Sequence, residues 1–339
     1  LKHEAHGGTF NQRMRDGMNE LRAYFAGELP GINAFLAAEA DKFDGLVREV
    51  ARHVLLSGGK RIRPMLTILF ARALGHGQNN VLPIACAIEM LHTATLLHDD
   101  VLDQAQTRRG QTSAHVAYGV TETILAGDVL LALSNRLGAD YDIPRLNALL
   151  ARGIMATAEG EILELAHTAR PTVDRATYLD IVIGKTARLI ETACRCGAAL
   201  ATPERAVEDR AGTYGLNLGI AFQLVDDALD YTISESEMGK PAGGDLREGK
   251  MTLPLILLLE SLPEAEAAQL LARLRDKRLT DEEAGRIVST IREKGLAEKT
   301  REAAQAYGDL ALRELDALPD CPERTVLSQA AEYVLTRRK

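Results

Sequence analysis

Residues 89–103 read EMLHTATLLHDDVLD, and the way acidic and apolar positions are spaced in this stretch points to the fold. Apolar side chains recur at three- and four-residue intervals here and almost everywhere else in the chain, which is the period of a helix face. The carboxylates keep the same period. Asp99 and Asp103 stand one turn apart, and Asp100 lies three residues before Asp103, so on a helix all three project from one arc. Like charges at that spacing repel, and a positive partner is expected among them.

A second stretch, FQLVDDALDY at 222–231, repeats the pattern with Asp226, Asp227 and Asp230. Apolar residues flank both clusters, which argues against two merely solvated surface faces. Oxygen-only ligands suit a hard cation. Mg²⁺ takes one or two carboxylates and completes its shell with water and phosphate oxygens, so a diphosphate bridged through metal is the expected substrate. Zinc is disfavoured, since no His/Cys set is presented.

The basic counterpart is GGKRIRP at 58–64. It places flexible backbone and three cations, Lys60, Arg61 and Arg63, just ahead of a helix start, and Pro64 suits that helix's first turn. Free N–H groups, the helix dipole and charged donors together favour an anion. A P-loop is excluded because GxxxxGK[ST] is absent. Arg108-Arg109-Gly110 follows the first acidic cluster closely, and Lys185-Thr186, Gln223, Lys240 and Lys250 add donors.

The 339 residues are 46% hydrophobic and only 4% aromatic, with a mean hydropathy of -0.09. With no convincing run of strict alternation, the expectation is an all-α chain of about a dozen helices. Residues 1–19 read as a leader, trimmed or poorly ordered, and 20–339 as a single domain. Breaks are expected near Gly75–Gln78, Gly138–Pro144 and Pro171–Asp174. Capping pairs are expected at Thr280 with Glu283 and at Asp320 with Glu323. The polar, Gly-rich segment Ser234–Met251 reads as a functional loop.

The net charge of -8 argues against a broad nucleic-acid surface. Cys86, Cys194, Cys196 and Cys321 make no zinc spacing and read as free thiols, mostly buried, which suits a cytoplasmic location. No run of about 20 apolar residues is present, so no membrane-spanning helix is expected.

These motifs, in this order, resemble the trans-isoprenyl diphosphate synthases (polyprenyl synthetases), and long-chain members such as octaprenyl diphosphate synthase most of all. The matching pieces are GGKRIRP, EMLHTATLLHDDVLD, RRG, GKT at 184–186, FQLVDDALDY and GKPAGGDLREGKMTLP at 239–254. The resemblance implies the all-α isoprenoid synthase fold, with helices around a deep central cavity, in a homodimer. It implies that Asp99, Asp100, Asp103, Asp226 and Asp230 hold Mg²⁺, about three ions per site, with Asp227 supporting them. Arg108, Lys185, Thr186, Gln223, Lys240 and Lys250 would bind the allylic diphosphate. Lys60, Arg63, His92 and Arg109 would bind isopentenyl diphosphate. Asp99, Asp100, Asp103, Lys185 and Asp226 would carry the catalysis.

Departure of the diphosphate would leave an allylic carbocation for the isopentenyl double bond to attack, with the proton lost to released pyrophosphate. Ala94 and Thr95 lie about one turn before Asp99, and a turn rises about 5.4 Å, so they are expected to flank the cavity beneath the metals. Being small, they predict a long product of about six to ten isoprene units (C30–C50), released with transient membrane contact. Alternatives are a farnesyl or geranylgeranyl diphosphate synthase, a terpene cyclase or head-to-head condensing synthase of the same fold, and a non-catalytic partner subunit. A phosphohydrolase built on His92, His98 and Asp99 would leave the second acidic cluster unexplained.

Overall fold

The computed structural model describes residues 4–77, 80–169, 171–172, 174–232, 242–276 and 278–337, with backbone alone for 4–18 and 169. The described residues are helical almost throughout. They form α1 (Glu4–Ala40), α2 (Gly45–Leu55), α3 (Ile62–Ala73), α4 (Leu82–Leu102), α5 (Ala114–Tyr118), α6 (Val120–Ala139), α7 (Pro144–Ala169) and α8 (Arg175–Val182). A π-helical segment, Ile183–Ala187, leads into α9 (Arg188–Ala201) and α10 (Arg205–Thr232). Then follow α11 (Gly244–Glu248), α12 (Leu253–Glu260), α13 (Glu264–Arg275), α14 (Asp281–Glu293), α15 (Leu296–Glu314) and α16 (Pro322–Thr336). The chain groups into two compact units. One comprises Leu1–Met155, Leu189–Gly215 and Glu314–Ala330; the other comprises Ala156–Arg188, Leu216–Arg313 and Ala331–Lys339.

In the first unit the apolar stripe of α4 packs on α3 and α6, burying Ile84, Ile88, Leu91 and Leu97. Each such side chain contributes about 1.5–3 kcal/mol by leaving water. Small residues set the helix spacing. A Cβ on Gly127 of α6 would collide with the His98 ring, and one on Gly197 of α9 would lie 3.1 Å from Phe70 Cβ. Thr67 of α3 donates to the Ala193 carbonyl at 3.0 Å, and Phe70 meets Tyr214 edge to face at 5.2 Å. Cys86, Cys194 and Cys196 are free and buried there, as expected, whereas Cys321 is partly exposed.

In the second unit α12, LPLILLLE, buries six of its side chains, with Pro254 in its first turn. The π segment arises where α7 and the chain after α8 come into backbone contact. A Cβ on Gly184 would lie 2.8 Å from Gly160 Cα, which leaves room for glycine alone on both sides. The extra residue in that turn re-aims the side chains that follow it. Thr280 and Glu283 form the expected capping box.

Two expectations need correction. Asp320 and Glu323 do not form a cap pair, because α16 starts at Pro322; proline's pre-set φ favours the first helical position and puts Cys321, not Asp320, at the cap. Strand is also present: Thr107–Arg108 (β1) pairs antiparallel with Gln111–Thr112 (β2). Arg109 and Gly110 both take positive φ, 52° and 76°, as two-residue hairpin turns require. So short a ladder leaves no alternating pattern to read.

The Gly160–Gly184 contact makes a stability prediction. Gly160→Ala forces backbone apart and is expected to cost about 1–3 kcal/mol, seen as a melting temperature several degrees lower. Gly285→Ala, at a helical site with open space around it, is expected to be neutral or to stabilise by about 0.5–1 kcal/mol.

Candidate active site

The basic cluster in the first unit is assembled around the turn into α3. Gly58 and Gly59 take φ of 82° and 143°, and Arg61 takes 48°, which folds the chain tightly before Ile62. The three cations of GGKRIRP then divide. Lys60 is exposed. Arg61 is buried, pairs with Glu89 at 2.7 Å and also bonds the Leu55 carbonyl, so it ties three segments together and is withdrawn from anion binding, contrary to the sequence-based expectation. Arg63 is partly exposed, and its Nε is buried without a hydrogen-bond partner. Burial pushes its pKa down to about 10; Glu89 works against that shift and Arg109 with it.

His92, two turns before the acidic cluster, is driven well below the usual histidine range by burial and by Arg63, Arg109, Arg108 and Arg61. It is therefore neutral at physiological pH and keeps one N–H to donate. The hairpin presents the two remaining arginines. Arg109 bonds the Gly58 carbonyl, with its guanidinium 2.8 Å from where a Gly59 Cβ would stand. Arg108 donates to Asp100 at 2.5 Å. That bond gives one of the three carboxylates, Asp100, a positive partner.

The three carboxylates on α4 are not equivalent. Asp100 is buried against Arg108, Asp99 is partly exposed, and Asp103 is exposed as the residue that ends the helix. Arg108, Arg109 and Asp100 line one cleft with His53, Ser57 and Thr93. Ala94 exposes no surface, whereas Thr95 is partly exposed and donates to the His92 carbonyl at 2.8 Å.

In the second unit, Lys185, Gln223, Asp227 and Lys250 line a cavity of about 140 Å³ with Glu164 and Asp245. The π segment presents Lys185 to Glu161 at 2.7 Å and to Glu164. Burial alone would lower the lysine pKa, but Glu164 and Glu161 outweigh it and hold it above the usual value. Thr186 donates to Gln223 at 2.9 Å, Gln223 to Asp227 at 2.8 Å, and Tyr178 to Asp227 at 2.5 Å. Burial, with Asp245 nearby, raises the Asp227 pKa to about 8. Lys250 pairs with Glu248 at 2.7 Å. Lys240 lies outside the described residues.

Asp230, one of the expected metal residues, is also engaged by backbone. Its two oxygens accept from the backbone N–H groups of Gly244 and Asp245, each at 3.1 Å, so it caps the short helix that carries Asp245. Asp226 pairs with Arg337 at 2.6 Å and keeps 40% of its side chain exposed. Five residues here escaped sequence reasoning: Glu161, Glu164, Tyr178, Asp245 and Arg337. The i, i+3 spacing of Glu161 and Glu164 beside Gly160 was a usable signal; nothing local marked Tyr178 or Arg337.

Among the described residues, no three His, Cys, Asp or Glu side chains converge enough to hold a metal unaided. The donors present are carboxylate oxygens beside cationic groups, a set that suits Mg²⁺ completed by water and phosphate oxygens rather than a caged metal.

An all-α chain carrying two aspartate clusters and a basic diphosphate-sized locus is an isoprenoid synthase in architecture. The polyprenyl synthetase family model matches residues 44–291, and the chain belongs to that family: it is a trans-prenyltransferase. It is 35% identical to octaprenyl diphosphate synthase of Escherichia coli (strain K12) over 322 residues, covering 94% of this chain and 98% of that one. It is 34% identical to geranylgeranyl pyrophosphate synthase of Geoglobus acetivorans, covering 87% and 91%. A polyprenyl synthase from Caulobacter crescentus CB15, solved with calcium and isoprenyl diphosphate, superposes with a TM-score of 0.86 at 36% identity, covering 95% of this chain and 98% of that one.

Two predictions come from this geometry. Because the His92 pKa lies below its ordinary 6.5 in the fold, its contribution to stability is complete above that value and is lost as pH falls through and below it. The melting temperature is expected to drop between pH 6.5 and 5, and His92→Asn to flatten that part of the profile. Asp230→Ala should remove a cap worth about 0.5–2 kcal/mol and speed hydrogen exchange at the Gly244 and Asp245 amides.

Proposed function

We propose that this protein condenses isopentenyl diphosphate with an allylic diphosphate to make a long all-trans polyprenyl diphosphate, of about six to ten isoprene units, a length favoured by the small side chains one turn before Asp99, Ala94 and Thr95. The observation that carries the reading is the set of cations, Arg63, Arg108 and Arg109, gathered around His92 in the first unit, in addition to the donors Lys185 and Lys250 that line a cavity in the second. A reaction with two diphosphate substrates needs two such sets; a cyclase needs one.

In this scheme Lys60, Arg63, His92 and Arg109 bind isopentenyl diphosphate. Arg108, Lys185, Thr186, Gln223, Lys240 and Lys250 bind the allylic diphosphate. Asp99, Asp100, Asp103, Asp226 and Asp230 are the assigned Mg²⁺ residues, and Asp230 acts by folding the Asp245 segment. When bound, Mg²⁺ neutralises charge building on the leaving diphosphate. Lys185 exchanges its glutamate partners for phosphate oxygens, and Arg108 holds Asp100 in place while adding positive charge. The allylic carbon–oxygen bond breaks, the isopentenyl double bond attacks that carbon, and the released diphosphate takes the proton.

Exposed apolar side chains on α6 and α7, among them Leu125 and Met155, support a homodimer. No helix among the described residues is long and apolar enough to cross a membrane; transient contact with lipid would serve product release. Thr95, which retains exposed surface, is the better chain-length position, since Ala94 is fully packed.

Purified protein with Mg²⁺ and farnesyl diphosphate is expected to yield long polyprenyl diphosphates only when isopentenyl diphosphate is added. A product formed without it would identify a cyclase instead. Thr95→Phe is expected to shorten the product on chromatography, while Ala94→Phe should also lower the melting temperature by overpacking.

A further inference from the structure

Arg337 lies just beyond α16 and is buried. Its guanidinium stacks on the Phe222 ring at 4.0 Å, and its Nη2 donates to the Phe222 carbonyl at 2.7 Å. The same Nη2 stands 2.6 Å from Asp226 Oδ1. Phe222 and Asp226 are one turn apart on α10, so one guanidinium spans both. A planar cation fits this double task; a lysine ammonium can meet only part of it.

The geometry points to Arg337 as a positioning residue for the metal carboxylate Asp226, an inference that rests on the reaction proposed above. Within its triplet, Asp227 is buried and hydrogen-bonded, and both oxygens of Asp230 are held by backbone. Asp226 keeps 40% of its side chain exposed. A short carboxylate has more than one staggered rotamer open to it, and the guanidinium favours the one that meets it. Arg337 is anchored by ring and carbonyl independently of Asp226, so it pins Oδ1 and sets the direction of the rest of the carboxylate. Groups that hold a ligating carboxylate in this way typically change metal affinity by about 10–100-fold when removed.

The test is Mn²⁺ binding to the metal-free full chain in the presence of inorganic pyrophosphate, by electron paramagnetic resonance or calorimetry. Arg337→Gln is expected to weaken binding by about tenfold, and Arg337→Lys to restore part of the loss. In an Asp226→Asn background, Arg337→Gln should add nothing, which separates positioning from general destabilisation. The Mg²⁺ concentration for half-maximal turnover should rise, with the rate recovered at saturating Mg²⁺. If the unaltered chain binds Mn²⁺ and Arg337→Gln binds it equally or more tightly, Arg337 does not position Asp226. If the unaltered chain binds none, the metal assignment itself falls, and this inference with it.

Discussion

Charges of one sign crowded onto a rigid helix must be neutralised, and most of this molecule's polar architecture answers that requirement. The cations around His92 are partly offset by Glu89, which draws Arg61 into the interior. Asp100 is answered by Arg108, Lys185 by Glu161 and Glu164, and Asp226 by Arg337. Each of these pairs lies within one compact unit. The Arg61–Glu89 pair is fully buried and structural, whereas Arg108 and Lys185 keep exposed surface from which a phosphate group could be met.

Backbone proximity controls which side chains reach these positions. Gly160 and Gly184 allow α7 to touch the chain after α8, and the π-helical turn created there aims Lys185 at the glutamates and Thr186 at Gln223. The hairpin around Arg109-Gly110 does the same for two arginines by a tight turn at positive φ. Both are small local irregularities in an otherwise regular helical chain, and both carry groups assigned to the reaction.

Much of the fold was legible from residues 89–103 and 222–231, because helical period shows in side-chain spacing and local propensity agrees with it. The clusters themselves, the short breaks, the Thr280–Glu283 cap and three buried thiols were equally local matters. The hairpin was missed because two residues per strand carry no period. Arg61 was misjudged because its neighbours in sequence say nothing of Glu89, which reaches it from another helix.

Primary structure established which chemistry this chain can carry: carboxylates at helical spacing, cations beside glycine, and oily helices between them, all properties that depend on near neighbours. Tertiary packing decided which of those groups keeps which task. Burial raises the Asp227 pKa, backbone amides claim Asp230, and Arg337 arrives from far along the chain to hold Asp226. Solvation and long-range pairing are set by whatever surrounds a side chain in space, and no local pattern encodes that.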